Sequence, residues 1–304
     1  MLEKKRGEIA GRRFRLTIYR SKNTGGKTML LRFIILLSLV LGAVIGLPMG
    51  IFESYTWLWA LPLMALGFTV VLLLLVFVYV LILCKRVDQN VEQEDDDPHY
   101  RRVQELIVES VLPLLRVSVK TKGLDKLPQG RFMLVCNHVH DLDPAPIFYA
   151  MPGRQLAFVA KQEVRDMFIV GPMLHKLLGQ FINRENDREA LKTILNCIRL
   201  LKEDKASIAV FPEGYTSKDC KLRHFRPGVF KIAQKAKVPI VVCTMKNTRV
   251  LGHNITHLKP TTVELSVLTV IGPEELEGVP TTEIADRAYR IMAEDLGPEN
   301  VADE

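Results

Sequence analysis

Two long apolar runs dominate the first third of the chain. Phe33 to Ile51 holds 19 residues without a formal charge, and Leu58 to Cys84 holds 27 more. At helical rise these correspond to ~28 Å and ~40 Å, enough for each to cross a bilayer, the second with tilt. Only Phe52-Glu53-Ser54-Tyr55-Thr56-Trp57 separates them. A cleaved leader carries one shorter apolar stretch, so the pair predicts a retained two-helix hairpin over 33–84. Pro48 and Gly50 near the turn leave two readings open: a spanning anchor, or a hairpin dipping into one leaflet.

The pattern then changes. Residues 85–99 contain an acidic run, Glu92 to Asp97, closed by Pro98, which reads as a hinge. Val103, Leu106, Ile107, Val111 and Leu114 recur at helical spacing and predict an amphipathic helix. Beyond it, β-type runs alternate with helical ones. The runs are Val117–Val119, Phe132–Cys136, Leu156–Ala160, Gln180–Ile182, Ile208–Phe211, Ile240–Cys243 and Val263–Val270. Helices are expected over Asp187–Leu201, with Asp187 as N-cap, and over Thr282–Leu296. Such alternation predicts an α/β domain over 100–304, with a mostly parallel central sheet flanked by helices. Sites in such sheets form in loops after the strands' carboxyl ends.

Charge sharpens the picture. The net +7 would suit a nucleic-acid binder, but residues 1–32 alone carry +8, leaving −1 for the rest. A basic tail before an apolar span, no cation in the short loop and Lys85-Arg86 after the second span put both flanks in the cytoplasm. Trp57 and Trp59 fall at the outer interface. The tail therefore faces anionic headgroups, and no nucleic-acid partner is expected. Five cysteines with no C-x-x-C pair argue against a disulfide framework and against a cysteine-rich zinc module.

Four loops carry candidate chemistry. After the second β-type run comes Asn137-His138-Val139-His140-Asp141-Leu142-Asp143. A neutral imidazole can take a proton from a hydroxyl when a carboxylate holds its other nitrogen, which His138 and Asp143 would supply. A polar loop with a capping aspartate fits the same letters. So in part does a metal-ligand set of His138, His140, Asp141 and Asp143, although Leu142 and Asp143 break the H-x-H-x-D-H pattern of metallo-hydrolases. The second loop is Phe211-Pro212-Glu213-Gly214-Tyr215-Thr216-Ser217, followed by Lys218, Lys221, Arg223 and Arg226, a cationic stretch suited to phosphate or to solvent. The third, Gly179-Gln180-Phe181-Ile182-Asn183-Arg184, delivers one arginine into a loop. The fourth is Val238-Pro239-Ile240-Val241, a strand with proline at its entry.

Taken in this order, the four motifs resemble the glycerolipid acyltransferases, most closely the bacterial 1-acylglycerol-3-phosphate acyltransferases. The likeness covers about residues 115–270. It implies that a fatty acyl group moves from a thioester, acyl-CoA or acyl carrier protein, to the hydroxyl of a lysophospholipid acceptor at the cytoplasmic face of the cell membrane. It casts His138 as base and Asp143 as its partner, with Glu213 and Gly214 in the acceptor block beside Tyr215, Thr216, Ser217 and Lys218. Arg184 and Lys161 become phosphate contacts. No metal or organic cofactor is implied. His140, Asp141, Tyr215 and Thr216 depart from the family's usual residues. Thr216 stands where an arginine is common, and Lys218, Lys221 or Arg223 is the expected replacement. No G-x-S-x-G elbow occurs, so direct attack without an acyl-enzyme is expected, with oxyanion donors from backbone N–H groups near the histidine loop.

Overall fold

The computed structural model describes residues 29–215, 221–257 and 259–302. The basic tail before residue 29, and Thr216, Ser217 and Lys218, lie outside the described residues.

The first apolar run forms helix α1 (Met29–Gly46) and the second forms α2 (Trp57–Lys85). Both are long and apolar enough to cross a membrane. The first helix starts earlier and stops sooner than its uncharged stretch. Gly50 adopts a left-handed conformation, φ 69°, and the chain turns through a short 3₁₀ segment at Ile51–Glu53. The helices meet along small residues. Ser38, Gly42 and Gly46 are buried at four-residue spacing. A Cβ on Gly42 would lie 3.2 Å from Leu61 Cδ1 and 3.6 Å from the Ala65 nitrogen. Lipid gives apolar helices no hydrophobic reason to pair, so close backbone approach across small residues supplies the contact.

The acidic run is not a loose tether. Glu92 pairs with Arg199 at 2.6 Å, and Asp95 pairs with Lys205. Asp96 pairs with Arg101, and the Asp97 N–H donates to the Lys176 carbonyl at 3.1 Å. The segment is a strap laid along the domain. Asp97 then caps α3 (Pro98–Leu114), accepting from the His99 and Tyr100 N–H groups, with Pro98 in the first turn.

Each of the seven β-type runs forms a strand. These are β1 (Val117–Lys122), β2 (Met133–Cys136), β3 (Leu156–Lys161), β4 (Gln180–Ile182), β5 (Ser207–Val210), β6 (Ile240–Lys246) and β7 (Thr261–Ile271). They make one sheet in the order β1-β7-β6-β2-β5-β3-β4. The run β6-β2-β5-β3-β4 is parallel, and β7 joins β6 antiparallel. Composition follows topology. All four residues of β2 and of β5 are buried, as strands covered on both faces require. Along β7, Thr261, Val263, Leu265 and Val267 are buried and alternate with partly exposed neighbours, the mark of one solvated face.

Helices cover both faces. On one, α6 (Asp187–Lys202) and α9 (Thr281–Leu296) pack Leu200, Ile284 and Met292 against Met133, Ile208 and Ile240. On the other, α4 (Pro144–Ala150) and α3 pack Ile147 and Leu112 against Leu134, Ala209 and Val241. The cap of α6 is Asn186, not Asp187: its amide oxygen accepts from the Arg188 and Glu189 N–H groups. The remaining short helices are α5 (Val170–Lys176), α7 (Lys231–Ala236) and α8 (Leu251–Thr256). A third apolar cluster joins Val80 and Cys84 of α2 to Tyr100 and Val103 of α3 and to Met173 and Leu177. The four described cysteines are buried thiols without disulfide partners.

Candidate active site

Four parallel neighbours, β2, β5, β3 and β4, end on the same edge of the sheet. Their exits deliver His138, Glu213, Lys161 and Arg184 respectively. The motifs that lie 75 residues apart along the chain become adjacent here because the strands that carry them are adjacent.

Asn137 closes the exit of β2. Its amide donates to the Met245 carbonyl at 3.0 Å and accepts the Met245 N–H at 2.7 Å. The side chain thus imitates one more residue of strand pairing with β6 and fixes where the loop departs. His138 follows. Its Nδ1 lies 2.9 Å from Asp143 Oδ2, and its ring stacks on Phe211 with centroids 4.1 Å apart. Asp143 is fully buried. The same Oδ2 accepts the Val139 N–H at 2.7 Å and the His140 N–H at 2.8 Å. Although Asp143 sits at the N-cap of α4, its side chain makes no cap bond. The carboxylate turns back into its own loop, so the capping-aspartate reading fails. Three donors on one oxygen hold the carboxylate in place beside the imidazole.

Glu213 differs from the expectation that it faces the acceptor. It is buried, and its carboxylate accepts the His138 N–H at 2.8 Å and the Arg223 N–H at 3.1 Å. It therefore joins the β2 loop to the β5 loop. Burial pushes its pKa up to about 7, against the downward pull of those two N–H donors.

The histidine loop is held largely by its own main chain. The N–H groups of His138, Val139, His140, Leu142 and Asp143 are all engaged, on Glu213, on Asp143, on the His140 ring and on the His140 carbonyl. This net makes the loop stiff, and it turns those hydrogens inward. The metal-ligand reading meets the same fact, since Asp143 Oδ2 and His140 Nδ1 already accept loop hydrogens. Among the described residues no group of three or more His, Cys, Asp or Glu is arranged to hold a metal ion.

The cationic side is built from β3, β4 and the glycine loop. Lys161 pairs in register with Ile182, so it and Arg184 leave adjacent strands two residues apart. Both are exposed. Partial desolvation holds the Arg184 guanidinium below the ordinary arginine range; the like charge of Arg226 adds to this, and Glu163 opposes it. Gly214 has φ 83°, and a Cβ there would fall 2.7 Å from Arg226 Nε. The Arg226 N–H donates to the Pro212 carbonyl at 2.9 Å. Glycine suits the position because of this left-handed backbone, and the arginine side chain lies against it. Arg226 thus brings a cation beside the glycine loop, in addition to Lys221 and Arg223 further along the chain. Its position depends on how the chain returns after residue 221, which no local pattern encodes. Tyr215 is exposed at the rim.

A family model described as Acyltransferase matches residues 118–246. A 1-acyl-sn-glycerol-3-phosphate acyltransferase of Chlamydomonas reinhardtii is 29% identical over 66% of this chain and 61% of its own length. One of Saccharomyces cerevisiae is 28% identical over 45% of this chain and 46% of its own. The chain thus spans less than two thirds of these relatives. The crystal structure of a 1-acyl-sn-glycerophosphate acyltransferase from Thermotoga maritima superposes with a TM-score of 0.51 at 24% identity, covering 70% of this chain and 86% of that one; it supports the α/β fold. The family match runs from β1 through β6 and takes in every loop described above, so it is this part of the chain, residues 118–246, that is similar to the acyltransferases.

Proposed function

We propose that the protein is a membrane-bound 1-acyl-sn-glycerol-3-phosphate acyltransferase, moving a fatty acyl group from acyl-CoA or acyl carrier protein to the free hydroxyl of the lysolipid and yielding phosphatidic acid. The carrying observation is the contact of His138 Nδ1 with the buried Asp143 carboxylate at the carboxyl end of a central parallel strand. The names of the relatives support this substrate class.

The acceptor hydroxyl is a weak nucleophile until its proton begins to leave. His138 Nε2 takes that proton while Asp143 orients the ring and stabilises the imidazolium. The oxygen forms its bond to the thioester carbonyl carbon, the C–S bond breaks, and the imidazolium returns its proton to the leaving thiolate. Glu213 keeps the His138 main chain in place. Arg184, Lys161 and Arg226 grip the acceptor phosphate. Two guanidiniums that repel each other are relieved when a dianion lies between them, which favours a phosphorylated acceptor over a neutral one. The hairpin α1–α2 keeps the domain on the cytoplasmic side of the membrane, where both lipid substrates partition.

The deciding experiment incubates detergent-purified protein with labelled acyl-CoA and acyl carrier protein against a panel of lysolipids with and without a phosphate monoester. Phosphatidic acid as chief product is the expected outcome. Preference for glycerol 3-phosphate or a phosphate-free lysolipid overturns the assignment.

A further inference from the structure

The turn between β3 and α5 exposes two large apolar side chains in succession. Met167 is 51% exposed and Phe168 59%, and Val170 beside them is also exposed. Apolar side chains at a loop tip ordinarily fold under, so a pair held outward has a use on that side.

Here the pair is held from two directions. On one side, the Cys84 thiol in the last turn of α2 approaches the Ile169 carbonyl at 3.8 Å. On the other, the Gln89 amide donates to the Arg165 carbonyl at 3.1 Å, and the Arg165 guanidinium donates back to the Gln89 carbonyl at 2.9 Å and to Asn90 Oδ1 at 3.0 Å. Both clamps grip the chain where α2 ends. The turn itself is tight: the Gly171 N–H donates to the Met167 carbonyl at 2.9 Å. A Cβ on Gly171 would lie 2.0 Å from the Arg165 carbonyl oxygen, so only glycine fits.

Depth follows from these contacts. If α2 crosses the membrane, Cys84 marks where its apolar surface gives way to Lys85 and Arg86, the boundary between hydrocarbon and headgroups. Phe168 and Met167 are one and two residues from the carbonyl beside Cys84, within roughly 7 Å of it. We propose that Met167 and Phe168 form a second membrane contact, a wedge seated in the headgroup–acyl boundary of the leaflet from which α2 emerges. This rests on the reading of α1 and α2 as a membrane hairpin. One helix pair lets a domain swivel about its exit point; a second contact beside it stops the swivel. The wedge connects to Lys161 through only the single 3₁₀ turn Gln162–Asp166, so it sets the cationic pocket at headgroup depth.

The test uses the full chain in vesicles of phosphatidylcholine and phosphatidylglycerol, with acyl chains brominated at shallow or deep positions. The chain has two tryptophans, Trp57 and Trp59. Trp57→Phe and Trp59→Phe are made together, and Phe168→Trp or Met167→Trp is added to supply one indole. Glu277→Trp, at an exposed position on the far turn before α9, serves as control. Shallow bromines should quench the indole at 168 or 167 and its emission should shift to the blue, while the control is quenched by aqueous iodide. Iodide quenching without bromine quenching at both wedge positions overturns the proposal. Shielding from both quenchers also overturns it, and points to a protein partner or second copy there. The unsubstituted chain separates the two readings. Bromine quenching of Trp57 and Trp59 with none at the wedge leaves the hairpin standing; no quenching anywhere removes both.

Discussion

The two halves of the site are built in opposite ways. Around His138, nearly every polar atom is matched: Asp143 takes three donors on one oxygen, Glu213 takes two main-chain N–H groups, and Asn137 bridges two strands. Around Arg184 and Arg226 the cations are exposed and repel. On the proposed reading, the first half is finished before substrate arrives, whereas the second awaits an anion. Proton transfer needs an imidazole fixed in angle and tautomer, so the fold supplies that rigidity in advance. A phosphate grip gains most when its charges are left for the ligand to satisfy.

The contrast can be broken at several points. His138→Ala should lower turnover by ~10²–10⁴ while leaving the fold intact by circular dichroism. Full turnover in a folded variant would remove the base. Asp143→Ala should lose turnover on a similar scale and also lower the melting point, since it strands three part-buried donors at about 1–3 kcal/mol of stability. The double variant should be scarcely worse in turnover than either single one, as expected for residues acting as a unit. A fully additive loss would separate their roles.

On the cationic side the effects should be smaller and of another kind. Arg184→Ala and Arg226→Ala should each raise acceptor KM by the equivalent of ~1–3 kcal/mol, with turnover and donor KM nearly unchanged. A loss confined to turnover would place these arginines with the reacting atoms instead. The least effect concerns pH. Burial raises the Glu213 carboxyl to about 7, above its unfolded value near 4.3, so the folded state holds that proton more tightly. The resulting stability is full below the unfolded pKa and disappears as pH rises through about 7. Melting points from pH 4.5 to 8 should therefore fall more steeply for the parent than for Glu213→Gln, and parallel curves would show that the group does not titrate in this range.

The strands were readable because their signal is local. A buried apolar run such as Ile208–Val210 or Ile240–Cys243 has the same look wherever it pairs. Their order was not readable, and order is what brings Arg184 beside the glycine loop. Pattern likewise named Glu213 without revealing which way it points, because direction depends on the N–H groups of His138 and Arg223 across the sheet edge. The shift of the α6 cap from Asp187 to Asn186 is a one-residue matter of backbone angle: Asn186 is extended, at φ −123° and ψ 101°, as a cap must be. The Ser38-Gly42-Gly46 seam stands at four-residue spacing in the sequence, but the spacing alone does not say which face of the helix meets a partner.

The join between hairpin and domain has a practical corollary. The strap's ion pairs at Glu92 and Asp95 are water-exposed on their acidic side, and such pairs count for little once salt screens them. The grip comes instead from Val80, Cys84, Tyr100, Val103, Met173 and Leu177, an oily knot at the base of the hairpin. High-salt washing should therefore spare the architecture during extraction. A small, aggressive surfactant is the greater danger, because it competes for the very surfaces that keep the two parts together.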